Sequence, residues 1–393
     1  MRRIIAALCV LFMTGANVAL VSSPAAAGPS HLGPRVIFVN TAQRTVSLYT
    51  GGKFDHRWAY SSFKVQGNSS TAWPKKNYGL TFEDNQRPFG LPVGREFRLN
   101  ANYHDRSLLR NWVSYNLASK LDGLHWTPHQ VFTEVFINGD YRGSYLMLET
   151  IAISPNRVDI PRSSGQIGEF SASGPFTDRT GMRTDLKDPQ IYDRGRYLMA
   201  KVNKFTWRLD NTNYWEGSID LKSFLDYYLV REFTKDKDAD FLFSNFYYTS
   251  DVWSPSSKLV MGPVWDFDRS AGNEAGLTTT SVASPKYWWL RGDGAHHPWD
   301  QRHWYVTLTK KGTFRSALCN RWQQVAGYFR YTGWGAVGAG YKAVSGQAVA
   351  NDRNVWGSSN VERPPSRGSY SAEVSYLQRW YQQRYYWVRD HIC

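Results

Sequence analysis

Cysteine is scarce, with 3 residues in a chain of 393. That excludes a small disulfide-framed scaffold. Long hydrophobic runs are missing beyond the N-terminus, and nothing after residue 27 approaches the ~20 apolar residues of a membrane helix. Acidic charge is also short: 33 Asp+Glu stand against 47 Lys+Arg, a formal net charge of +14. That balance favours an anionic partner. The 9 histidines form no HExxH or comparable ligand spacing, and no Gly-x-Ser-x-Gly occurs, so zinc-protease and esterase readings lack support. What is abundant is aromatic side chain, 16% of the chain, within a hydrophobic fraction of 42%. A disordered chain is thereby excluded. The aromatic runs Tyr385-Tyr386-Trp387 and Tyr287-Trp288-Trp289 read as packing groups rather than stacking platforms.

The first residues have the order of a secretory leader: Arg2-Arg3, an apolar stretch from Ile4 to Met13, then small residues ending at Ala25-Ala26-Ala27. Cleavage after Ala27 removes two arginines and leaves +12. The expected product is exported, secreted or associated with the cell envelope, without a membrane span. It keeps Cys319 and Cys393, which in an oxidising compartment read as one disulfide pinning the C-terminal helix.

The remainder, 28–393, reads as a single domain, β-rich first and helix-rich later, hence α+β. Strands are expected at Arg35–Val39 and Lys75–Glu83. Val131–Ile137 and Tyr141–Glu149 flank Asn138-Gly139, a tight-turn pair, and predict a hairpin. Apolar spacing predicts a helix from Ser107 to Gly123, with Ser107 as N-cap, and another opened by Asp220. Residues 161–190 read as loop and Tyr197–Val202 as a short strand. Phe243–Thr249 and Lys258–Met261 read as paired strands, 274–300 as loop, and Trp304–Phe329 and Ser371–Ile392 as helices.

Two constellations carry possible chemistry. Asp238 follows the Asp220 helix, while Asp266 and Asp268 follow a short strand, where residues two apart project to one side. Oxygen donors of this kind suit Mg²⁺, Mn²⁺ or Ca²⁺. A separate carboxylate can orient or deprotonate a hydroxyl. The plainer alternative makes Asp266 and Asp268 turn residues before a glycine. The second constellation is Gly67-Asn68-Ser69-Ser70 followed by Lys75-Lys76, small residues that admit phosphate oxygens to backbone N–H groups beside lysine charge. It is not a Walker loop, and it also reads as an ordinary turn.

Taken in order, several segments form a familiar series: Gly67-Asn68-Ser69-Ser70 with Pro74-Lys75-Lys76, then Leu99-Asn100-Ala101-Asn102-Tyr103 with Ser107-Leu108-Leu109-Arg110-Asn111. Phe136-Ile137-Asn138-Gly139-Asp140-Tyr141 runs on to Glu149, and Arg157-Val158-Asp159 and Gly262-Pro263-Val264-Trp265-Asp266-Phe267-Asp268 complete the series. The chain resembles the spore-coat protein H (CotH) kinase family, over about residues 63–273, with a helical part at 300–393. The resemblance implies a divergent two-lobed protein kinase-like fold. It further implies binding of ATP with Mg²⁺ or Mn²⁺ and phosphorylation of Ser or Thr in a secreted or coat protein; no nucleic-acid partner is expected. It implies Asp238 as the residue orienting the acceptor hydroxyl, with Asp240 as its rival. Asp266, Asp268 and Asn245 are implied as metal ligands, and Gly67, Asn68, Ser69, Ser70 and Lys75 or Lys76 as phosphate contacts. Glu149 is the implied ion-pair partner of that lysine. Two positions depart from the family pattern. Gln66 stands where an Arg usually precedes the glycine, and 195–202 lacks the Glu of a Gly-Gly-Tyr-like strand. The alternative reading is a catalytically weak, kinase-like binding or structural protein of the envelope or spore surface.

Overall fold

The computed structural model describes residues 31–237, 243–274, 282–291, 304–361 and 363–393. The leader at 1–27, both candidate hydroxyl-orienting residues Asp238 and Asp240, and most of the 274–300 loop lie outside the described residues.

Alternating apolar residues build the first half into strands: β1 (Arg35–Asn40), β2 (Thr45–Thr50), β3 (Lys53–Gln66), β4 (Asn77–Gln86), β5 (Gly94–Asn100), β6 (Gln130–Ile137) and β7 (Asp140–Glu149). They close a barrel in the order β1-β2-β3-β4-β5-β7-β6, sealed by parallel pairing of β1 with β6. The expected hairpin is β6–β7, and its turn has φ of 51° at Asn138 and 90° at Gly139, the positive values a two-residue turn requires. Ile37, Val46, Leu80, Phe97, Leu99 and Met147 fill the barrel.

A second sheet runs β12-β11-β8-β10-β9, from β8 (Gln166–Phe170), β9 (Phe176–Thr177), β10 (Arg183–Asp188), β11 (Asn245–Thr249) and β12 (Val260–Val264). The 161–190 region is therefore not a loop. Its strands are short and Ser/Gly-interrupted, and pairing with β11 makes them a sheet. The β11–β12 pair lies where the sequence places it, antiparallel.

The described helices are α1 (Arg110–Ala118), α2 (Tyr192–Asn211), α3 (Leu221–Thr234), α4 (Trp304–Leu308), α5 (Gly312–Tyr331), α6 (Val337–Ala343), α7 (Gly346–Trp356) and α8 (Tyr370–His391). α1 begins later than expected. Leu108 has a φ of 60°, which helical backbone excludes, and Asp105 rather than Ser107 accepts from the Arg110 N–H at 2.8 Å. Tyr197–Val202 belongs to α2, not to a strand. Leu198, Met199, Val202, Phe205 and Leu209 are buried at helical spacing, which a six-residue window cannot separate from alternation. Asp220 caps α3 by accepting from the Ser223 N–H at 2.9 Å. The expected Trp304–Phe329 helix is interrupted between α4 and α5.

Most of the aromatic excess is core. Phe170, Phe205, Phe224 and Tyr247 all pack their rings on Trp304. Cys319 in α5 is bonded to Cys393, 74 residues on, so the end of α8 is tied to the body. Replacing Cys393 with Ser is expected to lower unfolding free energy by on the order of 4 kcal/mol through loop entropy. The check is a denaturation midpoint that reductant lowers in the parent protein and leaves unmoved in the variant.

Candidate functional site

A cavity of about 1260 Å³ lies between the barrel and the second sheet. One wall is the turn joining β3 to β4, where Gly67, Asn68 and Ser70 line the cavity. Gly67 has a φ of 134°, and a Cβ there would sit 2.0 Å from the Ser70 Oγ, so the turn needs glycine. The Asn68 carbonyl accepts from the Thr71 N–H at 3.2 Å and from its hydroxyl at 2.7 Å, holding the turn closed.

The facing wall is the segment after β12. Asp266 and Asp268 both line the cavity, but not by strand alternation, because β12 ends at Val264 and Asp266 has a φ of 60°. Neighbouring side chains fix this backbone. The Asp266 N–H donates to the Tyr115 hydroxyl at 3.1 Å and the Phe267 N–H to Asn111 Oδ1 at 2.8 Å. The buried Arg231 donates to the carbonyls of Trp265 at 2.8 Å and Asp266 at 3.4 Å, and pairs with Asp236. Burial, reinforced by the Asp266 charge, holds the Tyr115 hydroxyl well above its ordinary value. Asp268 is buried, and its carbonyl accepts from Asn273.

Arg98 and Glu169 are among the cavity-lining charges not foreseen from sequence. Arg98 projects outward from β5 between Phe97 and Leu99, both buried in the barrel, and donates to Gln66 Oε1 at 3.3 Å. Burial lowers the guanidinium's pKa, while Asp266, Tyr115, Glu169 and Asp268 act to raise it. Glu169 comes from β8 and accepts from the Ser244 N–H at 3.1 Å. Burial raises its carboxyl, opposed by Lys187 and that N–H. The outward position of Arg98 in an alternating strand was a legible signal. So was Gly165-Gln166-Ile167-Gly168-Glu169, a glycine-flanked segment that carries a carboxylate.

Other expected residues lie elsewhere. Lys75 does not line the cavity: it is buried, bonded to Asp352 at 2.6 Å and to the carbonyls of Ala101 at 2.8 Å and Ser144 at 2.5 Å. Its expected pairing with Glu149 is overturned, because α7 supplies a nearer carboxylate and Glu149 bonds His129 at 2.8 Å and faces Arg157 at 3.9 Å. Lys76 folds onto the turn, donating to the Thr71 carbonyl at 2.8 Å. Asn245 is buried, its Oδ1 accepting from the Tyr227 hydroxyl at 2.6 Å and its amide donating to the Phe243 carbonyl at 2.6 Å. That geometry turns it to the core rather than the cavity. Among the described residues no group of three or more His, Cys, Asp or Glu could hold a metal ion. Asp266 and Asp268 both line the cavity, and carboxylate oxygens suit a hard cation that draws its remaining ligands from phosphate and water.

The architecture is a mixed α+β protein with a barrel, a second sheet and a polar cleft between them. A family model described as CotH kinase protein matches residues 63–388, so the chain belongs to the CotH kinase family. It is also 36% identical over 86 residues to the inner spore coat protein H of Bacillus subtilis (strain 168). That match covers 22% of this chain and 22% of the relative's length.

Proposed function

We propose that this protein is an exported atypical kinase with a divergent kinase-like fold. It transfers phosphate from ATP, with Mg²⁺ or Mn²⁺, to Ser or Thr of an extracytoplasmic or coat protein. The supporting observation is the cleft itself, in which the Gly67 turn faces Asp266 and Asp268 across one cavity, in a chain of this family. A coat-associated acceptor accords with the name of the relative, and export accords with the leader sequence.

In this reading the turn N–H groups and Arg98 hold phosphate oxygens, and Asp266 and Asp268 hold the divalent ion. When bound there, such an ion would supply positive charge against the negative charge developing on the transferred group. Asp238 or Asp240 accepts the proton of the acceptor hydroxyl as its oxygen bonds to the γ-phosphorus and ADP departs. Positioning and charge neutralisation supply most of such catalysis.

Incubating the purified protein with γ-labelled ATP and Mn²⁺ or Mg²⁺ is expected to label it, with the label lost in a chelator. A thermal upshift is expected with ATP and metal together. Neither label nor upshift would overturn the kinase reading in favour of a binding protein on the same fold.

A further inference from the structure

Two stretches of chain carry the chemistry proposed for the cleft, and one buried side chain behind it holds both. Asp266 lies on the backbone after β12, while Asp238 and Asp240 fall in the sequence between Asp236 and Ser244. Lys237, Phe243, Ser244, Trp265 and Asp266 line the cavity. Arg231, in the last turn of α3, does not line it; it is fully buried, as is its ion-pair partner Asp236.

A guanidinium carries five N–H donors in one rigid plane, and here all five are used. Nε donates to the Tyr227 hydroxyl at 3.2 Å. One terminal nitrogen donates to the Asp236 carboxylate and to the Asp266 carbonyl, the latter at 3.4 Å. The other donates to the carbonyls of Ser244 at 2.5 Å and Trp265 at 2.8 Å. A single group therefore joins the end of α3, the residue leading into β11 and the backbone leaving β12. Ser244 and Asp266 have φ of 58° and 60°, left-handed backbone that a residue other than glycine keeps only where its surroundings hold it. Ser244 is gripped on its other side too, where its N–H donates to Glu169 at 3.1 Å.

Closing the helix does not require this group. The N–H of Lys235, in left-handed conformation, already reaches the Arg231 and Glu232 carbonyls at the end of α3. A buried ion pair is by itself a weak source of stability, since desolvation offsets the attraction. What a planar fork adds is geometry: it fixes carbonyls from two separate segments and one carboxylate relative to one another.

We infer that Arg231 is a positioning residue for the cleft, fixing the Asp266 backbone relative to Asp236 and Ser244, the two residues that bracket Asp238 and Asp240. The metal-holding and hydroxyl-orienting groups are thereby set to act on one phosphoryl group. The inference rests on the kinase reading for the reaction it serves.

Arg231→Lys keeps a charge facing Asp236 but offers three donors on a point-like ammonium, too few for the five acceptors. At saturating ATP and Mn²⁺ its kcat for labelling is expected to fall about 100-fold, the scale of a displacement near 1 Å. The ATP concentration giving half-maximal rate is expected to move by less than about three-fold, because the Gly67 turn and Arg98 are not bonded to Arg231. Asp220→Ala, which removes the cap at the other end of α3, is the stability control: its melting temperature falls while kcat per folded molecule stays at the parent value. Tyr227→Phe drops one of the five bonds and keeps the ring, and is expected to lower kcat about five-fold. A lysine variant with the parent kcat overturns the positioning role, and so does an equal fall of kcat in Asp220→Ala. Should the lysine variant not fold, Tyr227→Phe at the parent kcat overturns it. A parent protein that takes no label overturns the kinase reading itself, and the role of Arg231 with it.

Discussion

Lys75→Met is expected to destabilise the protein by about 3–5 kcal/mol, because it strands a buried carboxylate. Lys75 Nζ is held by Asp352 at 2.6 Å and by two backbone carbonyls, with 2% of the residue exposed. Burial pushes the ammonium below its ordinary pKa, and Asp352 opposes that shift. Asp352 Oδ1 also accepts from the Ser144 N–H at 2.9 Å, so the pair fastens α7 to β7 of the barrel. A neighbouring contact does the same work: Asn351 donates to the buried Glu134 at 2.7 Å. The double variant Lys75→Met/Asp352→Leu should recover part of the loss, since it leaves no uncompensated charge, while the Ala101 and Ser144 carbonyls and the Ser144 N–H each lose a bond. Urea unfolding of the parent, both singles and the double forms the cycle. A phosphate-binding lysine would behave oppositely, with stability kept and the ATP-dependent upshift lost.

Local chemistry was legible in the sequence, and remote pairing was not. The Asn138-Gly139 turn and the Asp220 cap are decided within a few residues, and both stand where the sequence puts them. The Lys75 partner lies 277 residues away, and lysine beside a glycine turn looks the same whether it faces a ligand or a helix. α2 was misread because its apolar residues suit either period over a short window. Glu169 escaped notice for a related reason: β8 becomes a strand through β10 and the remote β11, and the Ser244 N–H that Glu169 accepts from, just before β11, is 75 residues away. Asp266 and Asp268 both line the cavity, though not for the geometric reason expected of them. They share the cavity because Asn111, Tyr115 and Arg231 shape the backbone after β12, not because a strand alternates.

That backbone decides how the proposed metal site is best tested. Asp266→Asn is expected to cut ATP-dependent labelling by about 10²–10³-fold, the scale seen when one preorganised electrostatic group is removed. Asn is the better replacement because φ is 60° at this position, a conformation Asp and Asn adopt far more readily than Ala. Ala would add backbone strain of roughly 1 kcal/mol to any chemical effect. Asn keeps the side-chain volume and the backbone links to Tyr115 and Arg231, and removes only the charge. The melting temperature should therefore stay near the parent value while the label falls. Raising Mn²⁺ should recover part of the labelling, since a weaker site fills at higher metal concentration. Full labelling by Asp266→Asn at low metal would remove Asp266 from the metal site. Labelling and stability lost together would make it a structural residue, held for the turn after β12 rather than for the chemistry of the cleft.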